Sequence, residues 1–194
     1  MNPPKINLIE TALVLIDLQQ GIVGLDLAPH SGAKVIAQSA RLADRFRQAK
    51  APVVLVHVTF SPDGADALKT ETDMKPNFQR PANWAEFVPE IGPKESDIVI
   101  TKRQWGAFYG TELDLQLRRR GIRQIVLGGI ATNFGVESTA RAGYEHGYQM
   151  ILAEDAMSSR TQEHHDFAVQ KIFPLLGQVR STEEILAGCG AMQE

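Results

Sequence analysis

Ala12-Leu13-Val14-Leu15-Ile16-Asp17 is the stretch that decides the fold. Five consecutive apolar residues leave no polar face, so the segment reads as a strand covered on both sides, as in the middle of a parallel sheet. It stops abruptly at an acid, Asp17. Downstream, residues 34 to 49 place Val35, Ile36, Leu42, Ala43 and Phe46 on one face at 3.6-residue periodicity, which predicts an amphipathic helix. Pro52 then opens a second apolar run, Val53 to Val58. Strand, helix, strand in that order is the pattern of crossover connections in a parallel sheet.

The alternation is interrupted from about Thr59 to Ser96, where five of the ten prolines fall: Pro62, Pro76, Pro81, Pro89 and Pro93. So long an irregular stretch predicts a lid or part of a binding surface. Order resumes with a strand, Ile98-Val99-Ile100-Thr101, that delivers Lys102. Thr111 with Asp114 predicts a capping box opening a helix that ends at Gly121, its last turn marked by Arg118, Arg119 and Arg120. A fourth strand, Ile125-Val126-Leu127, leads through Gly128-Gly129 to a helix over residues 135 to 146, closed by Gly147. Met150 to Ala153 predict a fifth strand, and residues 162 to 173 a final helix. With no internal repeat or linker, the reading is one domain over residues 1 to 194. Its fold class is α/β: a doubly wound, three-layer α/β/α sandwich with a central, mostly parallel sheet.

Composition excludes several function classes. A formal net charge of -3 over 194 residues, with no basic patch beyond the Arg118 to Arg120 helix end, gives no footprint for nucleic acid. No run approaches the roughly 20 apolar residues needed to span a bilayer, so no membrane partner is expected. The N-terminal residues, MNPPKINLIE, do not form a secretory signal. A single cysteine, Cys189, rules out an internal disulfide framework and suits a reducing compartment, so a cytoplasmic location is expected.

In a doubly wound sheet, ligands sit beyond the carboxyl ends of the strands, which singles out Asp17, Thr59, Lys102, residues 129 to 135, and Asp155. Asp17 reads either as a sheltered acid or base with a raised pKa, or as a turn former bonding its own backbone. Lys102 reads either as the acid's partner and an anion binder, or as a solvated surface lysine. Behind it, Gln104 to Thr111 carries Trp105, Phe108 and Tyr109 among small residues, the composition of a pocket wall. From Gly128 to Ala140 a helix start offers backbone N–H groups to an anion, or is simply a close-packed turn. His57 stands alone and reads as a packed residue. Cys189 reads as a bystander near the terminus. Neither G-x-G-x-x-G after the first strand nor a phosphate-binding G-x-x-x-x-G-K-[ST] occurs, which disfavours a nucleotide-dependent enzyme.

Taken together, Asp17 with Gln19, the Lys102 segment, and the run from Gly129 to Ala140 resemble the isochorismatase-like family of the cysteine hydrolase superfamily over nearly the whole chain. The resemblance implies a parallel α/β/α fold, assembly as a dimer or tetramer, and hydrolysis of a small molecule. Family members typically carry an Asp–Lys–Cys triad. Asp17 and Lys102 match two of its positions, while Gly135 falls at the third, so no thioester can form there. Isochorismatases are the branch commonly bearing glycine at that position, and they cleave a vinyl ether. By that likeness Asp17 is the acid, and Lys102 orients it and meets a substrate carboxylate. Gln19, Trp105, Phe108, Ala131, Thr132 and Gly135 contribute to substrate binding, the amides near Ala131 and Gly135 taking polar substrate atoms. Burial raises the Asp17 pKa and Lys102 lowers it, so acid and base roles both stand. The resemblance also implies a cis peptide between Ile130 and Ala131. No metal ligand set of the nicotinamidase kind follows the second strand, and the protein is expected to be metal-independent, with no metal and no cofactor. There the chain reads Thr59-Phe60-Ser61-Pro62, keeping the isochorismatase proline but not its glutamine, so the substrate stays unassigned. An inactive member of the family that binds a metabolite or a protein is the alternative.

Overall fold

A computed structural model of the protein describes residues 4–74 and 81–190; Pro76 lies outside the described residues. Six strands form one sheet: β1 (Thr11–Ile16), β2 (Val53–Val58), β3 (Ile98–Lys102), β4 (Gln124–Ile130), β5 (Gln149–Ser158) and β6 (Gly177–Arg180). Every neighbouring pair is parallel, in the order β3-β2-β1-β4-β5-β6. Chain direction through the sheet reverses between β1 and β4, so the crevice at their carboxyl ends is the topological switch point.

Period-two alternation divides the sheet's side chains between two cores. Leu13, Leu15, Val53, Leu55 and Val126 face α2 (Gly32–Gln48) and α7 (Thr182–Gly188), meeting Val35, Leu42, Phe46 and Ile185. Val14, Ile16, Val54, Val56 and Leu127 face α3 (Leu113–Arg119) and α4 (Glu137–Glu145), meeting Leu113, Leu117 and Ala140. The β1 run is buried at every position, as its sequence predicts. Three layers result. Among the described residues no helix is long and apolar enough to cross a membrane.

Several elements differ from the sequence reading. A short α1 (Gln20–Val23) follows β1. Thr111 does meet the start of α3, accepting from Leu113 N at 3.2 Å, but Asp114 forms no capping box. Its carboxylate is taken by Arg118 and by the Tyr148 hydroxyl. The expected helix over 135 to 146 starts earlier, as a π-helical turn at Thr132–Val136 that runs into α4. β5 extends to Ser158 because its register against β4 shifts between Leu127 and Gly129, which accommodates the polar Glu154 and Asp155 within the strand. The expected last helix is α5 (Gln162–Phe167), a π-helical stretch (Ala168–Ile172) and α6 (Phe173–Leu176). β6 and α7 follow, the latter opened by a capping box of Ser181 and Glu184.

The proline-rich stretch is not a detached lid at its C-terminal end. Val88 and Ile91 are in the core, and the backbone docks on the chain after β1: Gln20 N donates to Glu86 O, Gly21 N to Trp84 O, and Val88 N to Leu18 O.

One glycine fixes how closely β4 approaches β1. Gly129 has φ 120°, and a Cβ there would fall 2.1 Å from the Ile16 carbonyl oxygen. Neither the conformation nor the space admits a side chain. Gly129→Ala is expected to cost about 3 kcal/mol or more by overpacking against backbone. Urea unfolding measures this, and a loss below about 1 kcal/mol would contradict the close approach.

Candidate active site

Where β1 ends, Asp17 turns the chain out of the sheet in the left-handed region, at φ 54°, a conformation Asp tolerates better than most residues. Its N–H still bonds Val56 O at 2.9 Å, so the strand ladder holds the turn in place. Lys102 closes β3, two strands away, and reaches across the end of β2. Its Nζ lies 2.7 Å from Asp17 Oδ2 and 2.7 Å from the Trp105 carbonyl oxygen. These bonds use two of the ammonium's three N–H groups. Both side chains are buried: the residues are 6% and 2% exposed.

Gln19 makes that reach possible. Its amide bonds both backbone groups of Val58, accepting from Val58 N at 2.8 Å and donating to Val58 O at 2.9 Å. The side chain therefore continues the β2 ladder by one rung. Expected at the substrate, Gln19 is placed as a clamp on the strand between the two charged residues.

Burial dominates the electrostatics of Asp17. It pushes the carboxyl pKa up to about 6, against the attraction and hydrogen bond of Lys102 and a weaker effect of the Val58 amide. Because that amide donates to Gln19, Asp17 Oδ1 is a buried acceptor with no hydrogen-bond partner among the described residues. The Val58 N–H, already 2.8 Å from the Gln19 oxygen, contributes little to Asp17. The carboxyl thus has one oxygen held by lysine and one unspent.

The connector after β4 covers this pair. The Ile130–Ala131 peptide is cis, as the resemblance implies. Gly135 is buried, and a Cβ on it would lie 3.3 Å from Asp17 Oδ2, 3.3 Å from Lys102 Nζ and 2.9 Å from Ile16 Cγ2. Thr139 locks the connector to the Lys102 segment, donating to Gly135 O at 2.6 Å and accepting from Ala107 N at 3.1 Å. Trp105 is exposed and meets Phe134 edge to face at 4.9 Å. Ala131 is half-buried at the start of the connector, whereas the Thr132 hydroxyl turns away to His165 Nδ1 at 2.9 Å.

Asp17, Lys102, Trp105 and Gly135 are thus brought together, and Phe108 is not. Its ring is buried in the core against His146 and Tyr148, at 5.0 and 5.9 Å. It is apolar and precedes α3, which drew it inward. Asp155 anchors α7 through the backbone and hydroxyl of Thr182. His57 has both ring nitrogens engaged, on Ala85 O and Thr101 Oγ1. Cys189 is packed among the residues between α2 and the sheet, its thiol pKa raised by burial. An open depression at the opposite edge, lined by Leu8, Arg47, Lys50 and Pro52, adjoins the starts of β1 and β2, far from this pair in the fold.

A carboxyl and a lysine buried together at the switch point of a parallel sheet, under a strand-to-helix connector, place the chain among α/β proteins whose ligand crevice lies at the carboxyl ends of the strands. Residues 11–184 match the Isochorismatase domain. An uncharacterized isochorismatase family protein of Bacillus subtilis, YwoC, is 52% identical, over 96% of this chain and 97% of that protein. The ureidoacrylate amidohydrolase RutB of Azorhizobium caulinodans is 32% identical, over 79% of this chain and 78% of its own. Among solved structures, an isochorismatase family protein from Burkholderia thailandensis superposes with a TM-score of 0.93 at 49% identity, covering 98% of this chain and all of that one. The chain belongs to the isochorismatase family of hydrolases.

The raised Asp17 pKa has a consequence for stability. Between its ordinary value of 3.8 and about 6, the folded carboxyl keeps a proton that the unfolded chain has released. Asp17 therefore contributes stability that is complete below about pH 4 and is lost as pH rises through about 6. The stability of the wild type minus that of Asp17→Asn should fall by up to about 3 kcal/mol from pH 4 to pH 7. Paired urea melts across that range measure the difference, and a flat or rising curve would contradict the shift.

Proposed function

We propose that the protein hydrolyses a small anionic molecule by acid–base chemistry at Asp17, without a covalent cysteine intermediate, and that the bond cleaved is a vinyl ether. The observation that carries this reading is the position of Gly135. A side chain there would sit 3.3 Å from both Asp17 Oδ2 and Lys102 Nζ, which suits the family's nucleophile position. Hydrogen leaves that flank of the pair open to a substrate atom and supplies no nucleophile. Cys189, buried elsewhere, does not replace it.

In its protonated form Asp17 gives its proton to the methylene carbon of the enol ether, producing an oxocarbenium ion. Water adds to that cation, and the hemiketal collapses to an alcohol and a 2-oxo acid. The proton released by the attacking water restores Asp17, so one water is consumed overall. Oδ1, without a hydrogen-bond partner among the described residues, carries and delivers the proton. Lys102 holds Oδ2, stabilises the carboxylate left after transfer, and attracts an anionic substrate. The connector amides near Ala131 and Gly135 donate to its polar atoms, and Trp105 walls the approach. A pKa near 6 supplies the acid form at close to neutral pH, as general acid catalysis requires. This route needs no metal and no cofactor. Exposed Trp105, Tyr109 and Phe134 at the same rim support assembly as a homo-oligomer that covers the site.

Screening enol-ether carboxylates in heavy water tests the mechanism. The expected product carries one solvent deuteron on its new methyl group. Asp17→Asn and Lys102→Ala should each lower kcat/KM by about 10²- to 10⁴-fold while remaining folded by circular dichroism. Turnover without deuterium incorporation, or undiminished rates in both variants, would sink the proposal.

A further inference from the structure

Across β4 from the Asp17 pair, three residues far apart in sequence converge. His30 lies just before α2, Glu154 in the irregular part of β5, and His165 in α5. One ligand atom from each lies within 4.8 Å of the other two. The imidazole rings meet edge to face, with centroids 5.6 Å apart, so their nitrogens converge instead of stacking. Among the described residues His30 Nε2 is buried with no hydrogen-bond partner, and Glu154 Oε2, 3.7 Å away, is too far to satisfy it. His165 is 2% exposed, and Thr132 Oγ1 engages its Nδ1 at 2.9 Å, which directs the Nε2 lone pair elsewhere. A buried, unsatisfied ring nitrogen is uncommon in a native fold and calls for a partner.

We propose that His30, Glu154 and His165 bind one first-row divalent cation of the Zn²⁺ type. Two imidazoles and a carboxylate are a donor set that suits zinc, cobalt or nickel better than calcium or magnesium. Metal–ligand distances of about 2.0–2.2 Å put ligand atoms about 3.4 Å apart, so the group must contract by side-chain rotation. Glu154 can do this, because its side chain is 36% exposed and its ion pair is the loose contact with His30. Lys34 Nζ, 3.2 Å from His30 Nδ1 on the exposed side of α2, turns into solvent when that nitrogen carries the ring proton. Two contacts already orient the ligands: Thr132 on His165, and Ser158 Oγ accepting from the His30 backbone N–H at 3.2 Å. Water from the Glu154 side completes the coordination.

The role is structural. A cation here ties the start of α2, β5 and α5 into one unit, and through Thr132 it steadies the connector that carries Gly135. It lies on the β5 side of β4, whereas Asp17 and Lys102 lie on the β1 to β3 side.

The test uses the purified chain, stripped with a chelator that is then removed, and titrated with Zn²⁺ by calorimetry and with Co²⁺ by visible absorption. One ion per chain should bind at micromolar affinity or tighter, with cobalt bands of a low-coordinate nitrogen–oxygen site and a higher melting temperature. His30→Gln and Glu154→Gln, at half-buried positions, should each weaken binding at least tenfold, and Asp17→Asn should leave it unchanged. No saturable binding by the wild type, or equal affinity in the His30→Gln/Glu154→Gln double variant, would overturn the site. Because the readout is binding, its failure leaves the hydrolase reading of Asp17 untouched.

Discussion

A carboxyl and an ammonium withdrawn together from water form the interaction on which this site depends. Such a pair is costly to bury and is held only where geometry and further hydrogen bonds compensate. The chain supplies these from several directions. Asp17 leaves β1 in a left-handed turn still bonded to β2, and Lys102 ends β3 with a second bond to the Trp105 carbonyl. Gln19 holds the end of β2 flat between them. Compensation stops at Asp17 Oδ1, which has no hydrogen-bond partner among the described residues. That incompleteness is what converts an ion pair into a poised acid, because desolvation outweighs the lysine and keeps the proton affinity near neutrality.

Two glycines control how the β4 connector meets this pair. Gly129 lets β4 approach the Ile16 backbone more closely than any side chain allows, and Gly135 then brings the connector over Asp17 without covering it. A side chain at Gly135 would meet both charged groups of the pair, so the residue at this one point decides what the connector presents to them.

Much of this was legible in the sequence because it is local. An apolar run ending in an acid, and another ending in a lysine, show strand and strand-end chemistry directly, and the switch-point rule brings the two together. What could not be read locally was direction. Gln19 has the composition of a binding residue, but its amide turns onto the end of β2, which only the register of β2 beside β1 reveals. Phe108 has the composition of a pocket wall, yet the packing of Tyr148 and His146 behind α3 takes it into the core. The capping box of α7 was visible as a Ser-x-x-Glu pattern, but it and the short β6 lay beyond the last strong periodicity. His30, Glu154 and His165 share no sequence spacing at all. Their meeting depends on the register shift in β5, a feature with no one-dimensional signature.

The central claim is that burial, against the pull of Lys102, keeps a proton on Asp17 well above the ordinary carboxyl range. Carboxyl-selective ¹³C nuclear magnetic resonance of aspartate-labelled protein, with Asp17→Asn to assign the signal, reads that proton without any substrate. The account predicts a titration midpoint near 6. A midpoint at or below about 4, with the carboxylate already ionised at about pH 5, would contradict it.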